Sequence, residues 1–400
     1  MSREKQDSLI KYKLLFTAII LLIYLVGKEI PLYMVDVSVY LQKGVETEDL
    51  ILQTISGDIY RCSIFALGIS PFMISSLFVQ IISSFMGADA KARISPSKMN
   101  KLSLIFTLIL AALQATMQVQ DLHFTASGDS LILVWIVAEV EMVAGAMVIM
   151  WLCNKNKRYG IGGQSALVLV NVIDSIKVIF EDSGLGELVL PLVISALVMI
   201  VTVVMENTEK RIPVQRISIH NIYADKNYLA IKLNPIGVTP AMFSTAFFMV
   251  PQLVISMAAM FWPSNRYVLW FQENMSLNKS FGIVVYIVIL YVLSIGLSRV
   301  FLNPKEITEQ YLKSGDSLQD VHAGVETKKY LSRTINSISL LSATSMAVCL
   351  AIPMILQLNG HLDSGFVSLP SMVMMLTGVW CNLYREYRAI RDLEAYKPFI

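Results

Sequence analysis

Long apolar runs without charge alternate with short charged segments along the whole chain. Eight runs carry no charged residue, and two more are interrupted, one by Glu139 and Glu141 and one by Asp174. A helix needs about 20 apolar residues to cross the hydrocarbon core of a bilayer, so the pattern predicts ten transmembrane helices. The runs are Leu14–Gly27, Cys62–Ala88, Leu102–Gln120, Ser130–Asn154, Tyr159–Ile176, Leu188–Met205, Leu233–Asn265, Ser280–Ser298, Thr334–Leu362 and Ser364–Tyr384.

The composition agrees with a chain that lies mostly in lipid. Of its 400 residues, 55% are hydrophobic and 16% are charged, and the mean hydropathy is +0.60. Soluble domains carry about 25% charged residues, and a soluble core of this size would not need so many long uncharged runs. The sequence therefore predicts an all-α polytopic membrane protein.

The distribution of positive charge predicts how the chain is oriented. Because ten is an even number, both termini lie on the same side of the membrane. The segments on that side hold 26 of the 32 Lys and Arg residues, and cytoplasmic loops are the ones enriched in these residues. We therefore expect both termini in the cytoplasm.

Two of the apolar runs contain residues that interrupt helices. The second run carries Gly68 and Pro71, and the seventh carries Pro240 and Pro251. Such residues are tolerated in a spanning helix where neighbouring protein or water satisfies the freed backbone groups. Each run is the second in a group of five, which is the pattern of an inverted repeat with a path between its halves. The predicted five-helix halves are residues 1–184 and 185–400.

The two longest polar segments are predicted to project into the cytoplasm. Residues 206–232 alternate apolar and polar residues in two places, which predicts a β-hairpin between the sixth and seventh helices. Residues 302–329 begin with Asn303–Pro304, and a short amphipathic helix is predicted to follow and to stop at Ser314–Gly315. A docking surface for a cytoplasmic partner and a pair of solvated connectors both fit this composition.

Two carboxylates interrupt the fourth run. Glu139 and Glu141 are two residues apart, so they point about 200° away from each other on a helix. Ionisable residues inside a membrane are candidates for function, and a secondary transporter for a small solute would need such groups near its midplane. Interhelical hydrogen bonding is the alternative, because the two side chains diverge.

Little in the sequence could carry catalysis or hold a cofactor. The four cysteines lie in or at the ends of apolar runs, without a CxxC or His–Cys cluster. The four histidines belong to no motif, and the chain has no HExxH or GxSxG pattern. We therefore expect no enzyme, no metal site, no cofactor and no direct binding of nucleic acid.

Six motifs in order along nearly the whole chain resemble those of a known family. The first, ISGDIYRCSIFALGISPFMISSLFVQII, resembles the second membrane segment of the SecY family, the protein-conducting channel. The other five are YGIGGQSALVL (159–169), TEKRIPVQ (208–215), LNPIGVTPAMF (233–243), LNPKEITEQYLKSG (302–315) and HAGVETKKYL (322–331).

The resemblance implies a plug, a ring and a gate. The plug would be Asp49–Ser56, with the apolar side chains of Leu50, Ile51, Leu52 and Ile55. The lateral gate would open between the second and third helices on one side and the seventh and eighth on the other. The ring of side chains at the narrowest point would comprise Ile69, Met73, Leu169, Thr239, Met242 and Met372.

The resemblance also implies partners and a location. The chain would pass unfolded secretory polypeptides across, and sideways into, the cytoplasmic membrane of a bacterium. Its partners would be a SecA-type motor ATPase, SecE-like and SecG-like small membrane subunits, the secreted preprotein and membrane lipid. The motor would dock on the two cytoplasmic segments through Lys210, Arg211, Arg216, Lys305 and His322.

Some positions depart from the general pattern of the family. His322 stands where the family has the arginine of an RPG motif, and the ring is richer in Met. These departures resemble the accessory SecY paralogue of Gram-positive bacteria, which works with its own SecA paralogue to export serine-rich-repeat glycoprotein adhesins. The general SecY channel is the alternative.

Overall fold

The computed structural model of the chain describes residues 3–36, 62–85, 95–125, 130–181, 188–216, 227–262, 264–360, 362 and 364–395. Within these residues the protein consists of twelve α-helices, one short 3-10 turn and three short strands. The helices of the predicted first half are α1 (Arg3–Lys28), α2 (Ser70–Phe85), α3 (Pro96–Asp121), α4 (Ser130–Tyr159) and α5 (Gln164–Glu181), and the predicted second half begins with α6 (Val189–Asn207). Those that follow are α7 (Thr239–Phe261), α8 (Arg266–Asn274), α9 (Ser280–Leu302), α10 (Pro304–Ser314), α11 (Val325–Leu358) and α12 (Ser368–Ala395).

Seven helices in the described part of the chain are long and apolar enough to cross a membrane, namely α1, α3, α4, α6, α7, α9 and α11. The other three predicted spans correspond to α2, α5 and α12. Of these, α2 has only 16 residues, and α5 carries Asp174 and Lys177. The multi-pass helical architecture is therefore confirmed, while the count of ten spans stays a prediction.

The two halves share one buried core. Its largest cluster draws side chains from α1, α2, α4 and α5 in the first half and from α6, α7, α9, α11 and α12 in the second. The outward faces of these helices expose large apolar side chains, as Leu197 on α6 and Val288 on α9 do. An apolar exterior around a packed interior is the arrangement expected of helices that pack together in lipid.

The two polar segments form a single small sheet. Strand β1 (Glu209–Arg216) pairs antiparallel with β2 (Tyr228–Lys232) and, on its other side, with β3 (Asp316–Leu318). The predicted β-hairpin is confirmed, although its first strand starts at Glu209 and the alternation at residues 217–219 lies outside the described residues. Strand β3 comes from the second segment, whose predicted short helix is α10.

The sheet rests on the long helix α11. Ile212 and Val214 of β1 face inward, because strand side chains alternate between faces, and they join Leu318 of β3 in a buried cluster. Leu331 and Ile335 of α11 complete this cluster. The two polar segments therefore form one packed unit with the first turns of α11.

Candidate functional site

Helices α2 and α7 begin with the same six-residue pattern. Residues 68–73 read Gly-Ile-Ser-Pro-Phe-Met, and residues 237–242 read Gly-Val-Thr-Pro-Ala-Met. Both glycines have positive φ, 57° at Gly68 and 70° at Gly237, a conformation that glycine adopts without steric cost. In both helices the proline follows at the second position, where its missing N–H leaves no helical bond unmade.

This pattern corrects the predicted start of the second helix. The apolar run begins at Cys62, but the backbone turns irregularly through residues 64–69 and α2 begins only at Ser70. Gly68 in the left-handed region breaks any helix that would run through it. The sequence analysis found the prolines in both runs but missed the six-residue repeat. Aligning the two runs on their first prolines would have revealed it.

The structure gathers the predicted ring residues in the shared core. Ile69, Met73 and Met372 are fully buried, and Met242 is nearly so; all four lie in the same cluster. Leu169 of α5 is half-buried and packs against this cluster. The side chains therefore converge from α2, α5, α7 and α12, while their lining of a channel stays a prediction.

Thr239 is placed differently from the other ring residues. Its hydroxyl donates to the Ile236 carbonyl oxygen at 2.9 Å, and its side chain is half-buried. The repeat instead aligns Val238 with Ile69, and Val238 is buried in the same cluster. A methyl group at Gly378 of α12 would clash with Val238, so α12 approaches this point closely.

The predicted gate helices pack against one another. The second, third, seventh and eighth predicted spans are α2, α3, α7 and α9. Helices α2 and α3 contact α7, and α2 also contacts α9. Aromatic rings bridge this seam, because Phe78 of α2 lies 5.7 Å from Phe247 of α7 and 6.4 Å from Phe106 of α3, measured between ring centroids. On the other side of the molecule α12 contacts α1 and α5, so the two halves meet along two separate seams.

The carboxylates of the fourth run are used in hydrogen bonds. Glu139 accepts from the Thr116 hydroxyl of α3 at 2.8 Å, and Glu141 accepts from the Tyr33 backbone N–H at 3.0 Å. Asp174 of α5 is paired with Lys28 of α1. These contacts favour the interhelical interpretation of the two glutamates over a converging solute site.

A buried polar network holds the start of α7. The Glu206 carboxylate has no exposed surface and lies 2.8 Å from the Arg385 guanidinium of α12. It also accepts from the Asn234 side-chain amide at 3.1 Å, and Asn234 in turn accepts from the Ser342 hydroxyl of α11 at 2.9 Å. A Cβ at Gly237 would stand only 2.9 Å from the Glu206 carboxylate. The network thus connects α6, α7, α11 and α12, and sequence reasoning missed it.

The charges of this network affect Lys232, the last residue of the adjacent strand β2. Loss of hydration lowers the pKa of the Lys232 amino group, and the Arg385 guanidinium lowers it further, while Glu206 and Glu209 oppose the shift. Lys232 is the last residue of β2. The charges of the network therefore affect a residue at the end of the small sheet.

The predicted docking residues lie on this sheet and its surroundings. Lys210 and Arg211 are exposed on β1, where Arg211 pairs with Glu209 at 2.8 Å and stacks over the ring of Tyr228. Arg216 ends β1 opposite Asp316 of β3.

The remaining two docking residues belong to the second segment. Lys305 is exposed on α10, 3.8 Å from Glu309. His322 is exposed, and its carbonyl oxygen accepts from the Thr327 hydroxyl at the start of α11. The structure therefore joins in one unit residues that are 89 to 112 positions apart in the sequence.

The plug residues Leu50, Ile51, Leu52 and Ile55 lie outside the described residues. Where side chains are described, they include no group of three or more His, Cys, Asp or Glu that could hold a metal ion.

Comparisons with known proteins agree with this architecture. The sequence model of the SecY family matches residues 63–383. The accessory Sec system protein translocase subunit SecY2 of Streptococcus agalactiae is 28% identical over 400 residues, covering 98% of this chain and 96% of the relative. The subunit of the same name in Leuconostoc gelidum is 24% identical over 413 residues, covering 97% and 96%.

Solved structures show the same fold. A protein-conducting channel superimposes with a TM-score of 0.68 at 14% identity, covering 96% of this chain and 93% of the other. Sec61 from the canine ribosome–channel complex of the endoplasmic reticulum gives a TM-score of 0.62 at 15% identity, with the same coverage. With the family model matching most of its length, the chain belongs to the SecY family.

Proposed function

We propose that the chain is the channel subunit of a preprotein translocase and passes unfolded polypeptides through the junction of its two halves. The observation that carries this proposal is the paired start of α2 and α7, which brings Met73 and Met242 into one buried cluster. The names of the relatives support it, because they are translocase subunits that match this chain along nearly its whole length.

The chemistry of the cluster suits a seal that must open. A constriction lined by apolar side chains excludes water and ions when it is narrow. Methionine is unbranched and flexible, so Met73, Met242 and Met372 can bend around the varied side chains of a passing polypeptide. In this mechanism the plug of Asp49–Ser56 covers the resting seal.

The seam between α2 and α7 serves as the lateral gate. When it parts, an apolar segment of about 20 residues leaves the channel sideways and enters lipid as a helix. The opposite seam, where α12 meets α1 and α5, serves as the hinge. A backbone N–H at Gly162 donates to Glu386 of α12 at 2.9 Å on this side, which supports a seam that stays closed while the other opens.

The cytoplasmic sheet is the docking site for a SecA-type motor, which drives transport with ATP. Small SecE-like and SecG-like subunits complete the complex in the cytoplasmic membrane of a bacterium, with both termini of this chain in the cytoplasm. The accessory export system for serine-rich glycoprotein adhesins is the form favoured by the relatives named above and by His322.

Reconstitution tests this function directly. Vesicles that contain the chain, its small subunits and a SecA-type motor should protect an added unfolded preprotein from protease, and only when ATP is present. Protection that does not depend on the chain, or no protection although the motor binds, would contradict the proposal. Copurification from the native membrane then distinguishes the two systems, because it identifies whether the accessory or the general motor is bound.

A further inference from the structure

Helix α8 lies between α7 and α9 and buries none of its nine residues. The Asn265 side chain caps its start by accepting from the Tyr267 backbone N–H at 3.0 Å. It is therefore an ordered element whose side chains lie at the surface.

The surface of α8 and of the adjoining end of α7 is rich in exposed aromatic side chains. Tyr267 is 78% exposed, Phe261 72%, Trp262 62% and Trp270 48%. Apolar patches of this kind on a protein surface mark interaction sites. Tryptophan and tyrosine in particular are enriched where a membrane meets water, because one end of each ring system is apolar and the other is polar.

The residues of α8 are arranged on two sides. At 100° per residue, Arg266 and Glu273 lie about 20° apart around the helix axis. Tyr267, Phe271 and Val268 lie about 100°, 140° and 200° from Arg266, on the other side of the helix. Trp270 lies about 40° from Arg266, at the border between the two sides. A helix with one charged side and one apolar and aromatic side is suited to lie flat at a membrane surface.

The position of α8 in the fold fits such a surface. Helix α7 starts beside the cytoplasmic sheet, and its 23 residues rise about 34 Å at 1.5 Å per residue, which is close to the thickness of a bilayer core of about 30 Å. Helix α8 therefore lies at the membrane surface opposite the sheet. Its apolar side continues into the exposed face of α9, where Val284 and Val288 point outward.

Packing fixes α8 to the ends of both neighbouring helices. The rings of Trp270 and Phe271 lie 5.3 and 5.8 Å from the ring of Phe281 in α9, between centroids. The Gln252 side-chain amide of α7 donates to the Met275 carbonyl oxygen at 3.1 Å, directly after α8. A displacement of α7 would therefore also move α8.

We propose that α8 lies within the headgroup region of the membrane leaflet opposite the sheet and binds phospholipid through its aromatic side chains. Tyr267, Trp262 and Trp270 reach the boundary between headgroups and acyl chains, and Arg266 and Glu273 remain in water. The ligand is lipid rather than the transported polypeptide or another subunit, because the aromatic surface is continuous with the lipid-facing side of α9. This proposal depends on membrane insertion and not on the proposed transport activity.

Depth-dependent fluorescence quenching in vesicles tests the proposal. Replacing Trp135, Trp151, Trp262 and Trp380 with Phe leaves Trp270 as the single tryptophan of the full-length chain, which is excited at a wavelength that the 16 tyrosines do not absorb. Nitroxides are placed on phospholipids either near the headgroup end or near the methyl end of the acyl chain. The matched control lacks all five tryptophans and carries V288W, at an exposed position in the middle of α9.

For an interfacial helix we expect Trp270 to be quenched about twofold more by the nitroxide near the headgroup than by the deep one. The indole of the V288W control should show the reverse order, and aqueous iodide should quench Trp270 far less than it quenches free indole. A quenching ratio of one or below at Trp270 would overturn the proposal. Quenching by iodide as complete as that of free indole would also overturn it, since the helix would then face water.

Discussion

The ring of Phe78 in α2 lies 5.7 Å from the ring of Phe247 in α7, with the two planes tilted by 40°. This contact joins the first half of the chain to the second across the proposed gate. Phe78 is partly exposed, so the contact lies near the outer edge of the seam. It would have to break whenever the seam opens toward lipid.

Removing this contact should make the gate easier to open. An aromatic pair contributes about 0.5–1.5 kcal/mol beyond its buried area, so F247A should shift the closed–open equilibrium about two- to tenfold. The measurement is the threshold hydrophobicity that a cargo segment needs in order to enter lipid. This threshold should be lower in the variant than in the parent protein. F106A is the matched control, because the Phe106 ring packs on Phe78 within the same half; an equal effect there would contradict a role for the contact across the gate.

The pair of Glu206 and Arg385 should be important for stability. R385A leaves a fully buried carboxylate without its charged partner, and breaking a buried pair costs about 3–5 kcal/mol; because Arg385 is partly exposed, we expect the lower end of this range. The thermal unfolding midpoint of the purified protein in detergent should therefore fall.

A double variant separates the charge from the packing. E206Q keeps an acceptor for Asn234 and removes the charge, so E206Q combined with R385A should be more stable than R385A alone. If the double variant is instead less stable than R385A by the full cost of E206Q, the two side chains are energetically independent and the network does not act as a unit.

Polar substitution of the two equivalent methionines should weaken the seal. M73N and M242N place amide groups in a constriction that excludes water by its apolar lining, so ion conductance through the resting channel in planar bilayers should rise. M73L and M242L preserve the apolar surface and should stay near background. Background conductance in both asparagine variants would show that these residues do not form the seal.

The basic surface of the sheet should control affinity for the motor. Reversing the charge of Lys210, Arg211 and Arg216 to Glu should weaken motor binding and make the remaining binding less sensitive to salt, because the variant has lost the exposed charges whose attraction salt screens over about 10 Å at moderate ionic strength. Lys279→Glu is the control, since Lys279 precedes α9 at the end away from the sheet. Unchanged affinity in the triple variant, measured by titration in vesicles, would remove the docking role.

The fold was largely predictable because apolar runs and helices coincide in a membrane protein, where each helix satisfies its own backbone. The ends of the helices were less predictable, as Ser70 shows, because the run of apolar residues continues through the break at Gly68. The hairpin was foreseen from alternation, but β3 was not. Its three residues carry no periodic pattern and form a strand only because β1 offers an unpaired edge.

The candidate site was also predictable only in part. Met73 and Met242 stand in two of the motifs that resemble the SecY family, and that resemblance was enough to select them. The partnership of Glu206 with Arg385 could not be foreseen, because 179 residues separate them and each reads as an ordinary charge at the inner end of a span. The family motif pointed to Thr239 as a ring residue, whereas burial in the fold favours its neighbour Val238.

A polypeptide in transit should pass between α2 and α7, and site-specific photo-crosslinking detects whether it contacts both helices. A photoreactive amino acid is placed at Met73, at Met242 or at Leu197, which is exposed on the outer face of α6, and a secretory cargo is stalled during transport. We expect cargo adducts from Met73 and Met242 that depend on the stalled state, and none from Leu197. Adducts from neither methionine, with the cargo otherwise protected inside the complex, would contradict a path between the two helices.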